Sequence, residues 1–191
     1  MKLFIKSLFI GSILTLLTAC SSGKKEWTRL NDAEVDQKSY AIAYGATAQT
    51  YADRVNETYD IPTFVNGVND WYQNKVTLPI EQIRASTLNR MLDHKVYAYN
   101  SGVIYAADLQ AKFNYLDPNC WGLVQPASMT QGIQDAMNDI QKNKVRDDEY
   151  IKNGVEQILQ LCVKTMTDSE KAENAKPAKA KKAKSKVKAK K

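Results

Sequence analysis

Three cysteines, a single histidine and one run of acids are the residues that could do chemistry in this 191-residue chain. Cys20 ends the tetrapeptide Leu17-Thr18-Ala19-Cys20, with small residues directly before it. Upstream lie Lys2 and Lys6 and an apolar run through Leu8, Phe9, Ile10, Ile13, Leu14, Leu16 and Leu17. A basic start, a short apolar stretch and a small-residue cleavage point make a secretory signal. The run falls short of the roughly 20 residues that a membrane-spanning helix needs. Ending on a cysteine, it reads as a lipobox, with residues 1–19 removed and Cys20 acylated. Several acyl chains on Cys20, palmitate-type among them, hold far more firmly than one myristoyl chain would. Ser21 rather than an acid follows Cys20, so the expected address is the outer membrane, lipid-anchored, on its periplasmic face.

Cys120 and Cys162 remain, in a compartment where disulfides persist. They are expected to be bonded to each other, two buried free thiols being the alternative. A metal site is not expected, because His94 is the lone histidine and no Cys-x-x-Cys spacing exists. Asp147-Asp148-Glu149 suits the start of a helix, where negative charge meets the positive end of the dipole. No glycine-rich phosphate loop is present, and His94 has no nucleophile or carboxylate arrangement around it to act as a catalytic base. The residues therefore predict no enzyme and no cofactor.

The elements that would position these groups are all helical. Ala41, Tyr44, Gly45, Ala48, Ala52 and Val55 recur at three- and four-residue spacing from a start near Asn31 or Asp32, giving a first helix of about five turns. Thr63 is placed to cap a short helix with Phe64, Val68, Trp71 and Tyr72 inside. Thr77 and Pro79 start a third, carrying Ile80, Ile83, Thr87, Leu88, Met91 and Leu92, with Asn100-Ser101-Gly102 as a kink or stop. The order then repeats. A helix over 103–115 is followed by one capped by Ser128 with Met129, Ile133, Ala136, Met137 and Ile140 inside. Another, started by Asp147 or Asp148, buries Ile151, Val155, Ile158, Leu159 and Cys162. Gly45, Gly67 and Gly132 are read as permitting close helix packing.

Phe64-Val65-Asn66-Gly67-Val68-Asn69-Asp70 aligns with Met129-Thr130-Gln131-Gly132-Ile133-Gln134-Asp135, and Gln73-Asn74-Lys75-Val76 with Lys142-Asn143-Lys144-Val145 four residues later. Gly45-Ala46 is matched with Ala106-Ala107. Such self-similarity predicts a duplication. The expected fold is all-α, two tandem three-helix units packed as an internal pseudo-dimer. Its parts are a flexible tether at 20–30, repeats at 31–97 and 98–166, and a disordered Lys/Ala-rich tail at 167–191.

These segments resemble the helical N-terminal dimerisation domain of the FkpA and macrophage infectivity potentiator family, FKBP-type prolyl isomerases of the bacterial envelope. The first copy matches through Asp36-Gln37-Lys38-Ser39-Tyr40-Ala41, Gly45-Ala46, Gly67-Val68-Asn69-Asp70 and Leu78 to Leu92. The second matches through Ala107-Asp108-Leu109-Gln110-Ala111-Lys112-Phe113 and the stretch from Pro126 to Met137. The resemblance implies a pairing module that binds protein clients in a chaperone-like way or docks an envelope protein. The strand-rich catalytic module is missing after residue 166, so isomerase activity is not implied. The assembly implied is a monomer with an internal pseudo-dimer, or a homodimer. Tyr44, Tyr51, Trp71, Tyr72 and Tyr105 are the candidate client-binding residues, because aromatic rings in a groove hold apolar peptide well.

Formal net charge is +6, unevenly spread. Nine lysines lie beyond Ala175, namely Lys176, Lys179, Lys181, Lys182, Lys184, Lys186, Lys188, Lys190 and Lys191, and two lie in the signal, leaving 16 basic against 21 acidic residues between. An acidic body with a basic tail points to an anionic envelope polymer, peptidoglycan or lipopolysaccharide, as the tail's partner. Nucleic acid is not expected in that compartment.

Overall fold

The computed structural model describes residues 27–88 and 92–188, with side chains described through Ser169. Cys20 and the signal lie outside the described residues, as do Met91 and the side chains of the tail lysines. Among the described residues six α-helices follow one another: α1 (Gln37–Tyr51), α2 (Ile61–Tyr72), α3 (Ile80–Thr87), α4 (His94–Leu116), α5 (Pro126–Gln141) and α6 (Glu149–Lys188). Two short 3-10 turns lie at Asp32–Glu34 and Cys120–Leu123. The fold is all-helical, and no strand occurs among the described residues.

Helix ends are set by side chains that satisfy otherwise orphaned amides. Asp36 accepts from Ser39 N at the start of α1, and Asp60 accepts from Thr63 N at the start of α2. Asp60 is thus the cap expected of Thr63, whose hydroxyl instead donates to Asp60 Oδ2. Asp93 accepts from Lys95 N and Val96 N, starting α4 there. α4 then runs unbroken through Asn100-Ser101-Gly102, where a kink or stop was expected, and the unit boundary at 97/98 falls inside it. Ser128 is not a cap either: it is buried inside α5, its hydroxyl accepting from Asp36 N at 2.9 Å. Asp148 does start α6, accepting from Ile151 N at 3.1 Å.

The four middle-sized helices form a ring. α1 packs on α5, α5 on α2 and α2 on α4, while α1 and α4 meet through side chains, Thr47 Oγ1 lying 2.9 Å from the Tyr105 hydroxyl. α3 lies on α4, and α6 lies on α1. α1 is covered mainly by α5 and α6 and α4 mainly by α2 and α3, while α1 meets α2 through the Tyr51 and Phe64 rings.

The two crossings correspond in detail. A methyl group on Gly67 of α2 would overlap the Tyr99 carbonyl of α4, and one on Gly132 of α5 would overlap the Tyr40 carbonyl of α1. Tyr99 donates to Asp70 Oδ2 and Tyr40 to Asp135 Oδ2, each at 2.9 Å. Asn74 and Asn143, with φ of 54° and 53°, close α2 and α5 in the left-handed conformation common just past helix ends. α5 has 16 residues against 12 in α2, and the four extra add about one turn, which preserves the facing. Matching Tyr40 with Tyr99 sets α1 against α4 at an offset of 59, not the 61 given by aligning Gly45-Ala46 with Ala106-Ala107. Gly45 has only Val155 Cγ2 near it, at ordinary contact distance.

The core contains Phe64, Val65 and Val68 of α2, Met129, Ile133 and Met137 of α5, and Ile158 and Cys162 of α6. Leu88, expected inside, is 83% exposed, and Leu159 is 46% exposed, because α3 stops at Thr87 and α6 turns one face outward. Cys120 and Cys162 are bonded, their Cα atoms 5.2 Å apart, tying the second 3-10 turn to α6. From residue 167, where charge repulsion predicts disorder, helical backbone continues to Lys188, consistent with the helix-forming tendency of Ala, Glu and Lys there.

Residues 27–30, assigned by sequence to a flexible tether, are a strap fixed on the body. Trp27 N donates to Asn66 Oδ1 of α2 at 3.1 Å, and Leu30 N to Gln131 Oε1 of α5 at 2.9 Å. Arg29 forms a two-pronged bridge to Asp135, and Trp27 packs against the core. Sequence periodicity misses the strap because an extended segment held by side-chain amides has no repeating apolar face.

Buried tyrosines tie the fold to pH. Burial foremost pushes Tyr44, Tyr59, Tyr99 and Tyr105 each up to about 12. An unfolded tyrosine ionises near 10, so the folded chain holds the extra protons between these values. Stability is therefore full below pH 10 and is lost as pH rises toward about 12. Denaturant midpoints measured across this window should fall steadily, and a flat profile would contradict the burial of these rings.

Candidate functional site

The aromatic residues singled out for client binding are largely structural. Tyr44 is wholly buried, donating to Asp139 Oδ2 at 2.8 Å and accepting from Arg146 N at 2.8 Å. Tyr105 is 7% exposed and meets Tyr51 edge-on at 5.2 Å. Tyr51 also packs edge-on against Phe64, and burial raises its pKa far above 10. The rings of Tyr72 and Trp121 lie 5.2 Å apart, and the Tyr72 hydroxyl is buried without a hydrogen-bond partner. Trp71 is half-buried, its Nε1 donating to Gln110 Oε1 at 2.8 Å. These rings do not come together on a surface. They pack between the helices, because a large ring with one polar tip fills a helix crossing well.

Among the described residues a hollow of about 700 Å³ lies along α6, lined by Ile151, Val155, Leu159 and Val163, and a groove of about 630 Å³ lies along the α1–α4 edge. That volume lies within the range of small-ligand clefts. Ala46 and Thr50 line it from α1, while Asp108, Ala111, Lys112, Tyr115 and Leu116 line it from α4. Tyr105 and Leu109, both buried, form its floor. Tyr115 is 91% exposed at the rim and Leu116 45%. Asp108 is held by Arg84 of α3. A signal for Tyr115 did exist in the sequence: it is an aromatic on the outer side of a long helix, one position from Leu116, just before the Asp117-Pro118 stop.

Arg29, Tyr40, Gln131, Asp135, Arg146 and Tyr150 share a smaller hollow, where Arg29 pairs with Asp135 and Arg146 with Asp148. His94 is exposed at the first residue of α4. Asp147 pairs with Lys152 at 3.1 Å, so the acidic run serves the start of α6. Among the described residues, no group of three His, Cys, Asp or Glu side chains gathers as metal ligands would, and no helix is long and apolar enough to cross a membrane.

A protein-family model described as "Uncharacterised lipoprotein" matches residues 33–164, from the first 3-10 turn through the disulfide-bearing part of α6. A Haemophilus influenzae protein described as "Uncharacterized protein" is 47% identical over 135 residues, spanning 70% of this chain and 76% of its own length. No solved structure matches the chain. Neither match links it to the prolyl isomerase pairing domain. The matched span covers the packed helices and adjoins the strap that starts at Trp27, and the chain belongs to this lipoprotein family, which implies a membrane-anchored protein of the envelope.

Proposed function

We propose that the protein is a non-catalytic lipoprotein of the outer membrane, held on the periplasmic face by acylated Cys20, that binds apolar protein segments in the α1–α4 groove. In this reading its two three-helix units arose by duplication and pack as an internal pseudo-dimer, leaving the chain monomeric. Support comes from the exchanged helices, the matched Gly67 and Gly132 crossings, and the resemblance of both halves to an envelope pairing domain. The observation that carries client binding is the exposure of Tyr115 and Leu116 above the groove.

The mature chain with Cys20→Ser should suppress aggregation of a reduced model protein at near-stoichiometric ratio. The double variant Tyr115→Glu, Leu116→Glu should weaken capture about tenfold, as loss of an aromatic anchor does, without lowering the melting temperature. Absence of suppression by the parent chain, or an unchanged double variant, would refute the groove reading.

A second reading is favoured by the charge asymmetry: the nine lysines from Lys176 onward bind peptidoglycan or lipopolysaccharide, and the domain serves as a spacer. Removing residues 176–191 should then abolish pull-down on purified polymer at low salt. Unaltered pull-down would exclude it.

A further inference from the structure

We infer that the α2–α5 edge of the bundle is held against the lipid leaflet, and that the α1–α4 groove opens away from the membrane. This rests on acylation of Cys20 in the reading above. Two observations support the orientation. The strap starts on α2 and runs over α5 toward the start of α1, pinned by Trp27 N to Asn66 and by Leu30 N to Gln131, with Arg29 bridged to Asp135 and Val35 packed beside Tyr40. Asp36 N then bonds Ser128 Oγ, so the strap is fastened at both ends. Only residues 21–26 separate Cys20 from Trp27. Even fully extended, that leash reaches at most about 25 Å from the acylated cysteine.

In the ring of helices, α5 and α2 share one edge and α1 and α4 share the edge across from it. The leash enters at the first of these, at α2, and the groove occupies the second. A lipid surface therefore lies on the strap side, and a client approaches from the aqueous side without competing with the bilayer. Lys24 and Lys25 lie in the leash just before Trp27, where basic side chains suit phosphate headgroups, while Trp27 packs on the core and fixes the point where the leash enters. The net acidic body would not itself adhere to anionic lipid, so the covalent leash and its strap set the orientation.

The test uses the full acylated protein reconstituted in phosphatidylethanolamine vesicles doped with a lipid bearing a photoactivatable headgroup, with adducts mapped by mass spectrometry. Adducts should be enriched several-fold on residues 27–36 and on α2 and α5 relative to 105–116. Enrichment at 105–116, uniform labelling, or a body free of adducts would each overturn the orientation. A variant with about 20 Gly/Ser residues inserted after Lys25, a flexible extension, should lose the bias, and its persistence would show that the leash does not set it. Failure of the protein to float with vesicles would instead refute acylation, a separate outcome.

Discussion

Gly102→Val should destabilise the protein by about 3 kcal/mol or more, the upper part of the range for overpacking a close-packed interior. Any side-chain carbon at Gly102 overlaps the Phe64 carbonyl oxygen and crowds Val68 N. These are backbone atoms of α2 and cannot rotate away. Gly67 meets α4 in the reciprocal manner, so the two helices touch backbone to backbone at a point flanked by Phe64, Val68 and Val103, all fully buried. Relief requires the helices to part, which opens voids around those side chains. For a body of this size, such a loss corresponds to a melting temperature lower by roughly 10 °C. Gly45→Ala is the control: its nearest neighbour is Val155 Cγ2 at 3.9 Å, and the helix propensity gain of about 0.5–1 kcal/mol should leave stability equal or higher. Thermal unfolding of both variants decides the matter, and a Gly102→Val protein as stable as the parent would disprove the backbone contact.

Replacing both Cys120 and Cys162 by Ala should remove roughly 4 kcal/mol, the chain-entropy value for closing a loop of this length. Both sulfurs are buried, so Ala at each position avoids leaving an unpaired thiol. The effect should also be local. The bond ties the Cys120–Leu123 turn to α6, supported by Asn119 Nδ2 donating to Ser169 Oγ at 3.2 Å. Amide exchange should therefore accelerate most at 117–124 and 158–169, while the α2–α4 crossing stays protected. Uniform acceleration would mean that the bond stabilises the fold globally, and no change in stability would mean that the cysteines are reduced in the native protein.

Much of the helical layout was legible in the residues. Met129, Ile133, Ala136, Met137 and Ile140 recur at helical spacing and are all buried in α5, because an amphipathic stripe needs only local geometry to form. The repeated Gly-x-x-Asp of α2 and α5 was visible for the same reason. Caps were less legible: Thr63 and Ser128 have suitable hydroxyls, but Asp60 and the α1–α5 junction take those bonds. Leu88 was misplaced inside because periodicity marks an apolar face without showing whether a neighbour covers it.

Local chemistry by itself determined the helical class and the matched Gly-x-x-Asp segments of α2 and α5, since each depends on residue type and short-range spacing. Tertiary structure alone decided which helix covers which: α1 is covered by α5 and α6, and α4 by α2 and α3. It also turned Tyr44 and Tyr105 from candidate contacts into core, and raised Tyr115 to the rim of a groove. The strap over α2 and α5 belongs to the same class of fact. Burial and long-range hydrogen bonding arise from pairs of residues some 30 to 100 positions apart, and no periodicity within one helix encodes its partner.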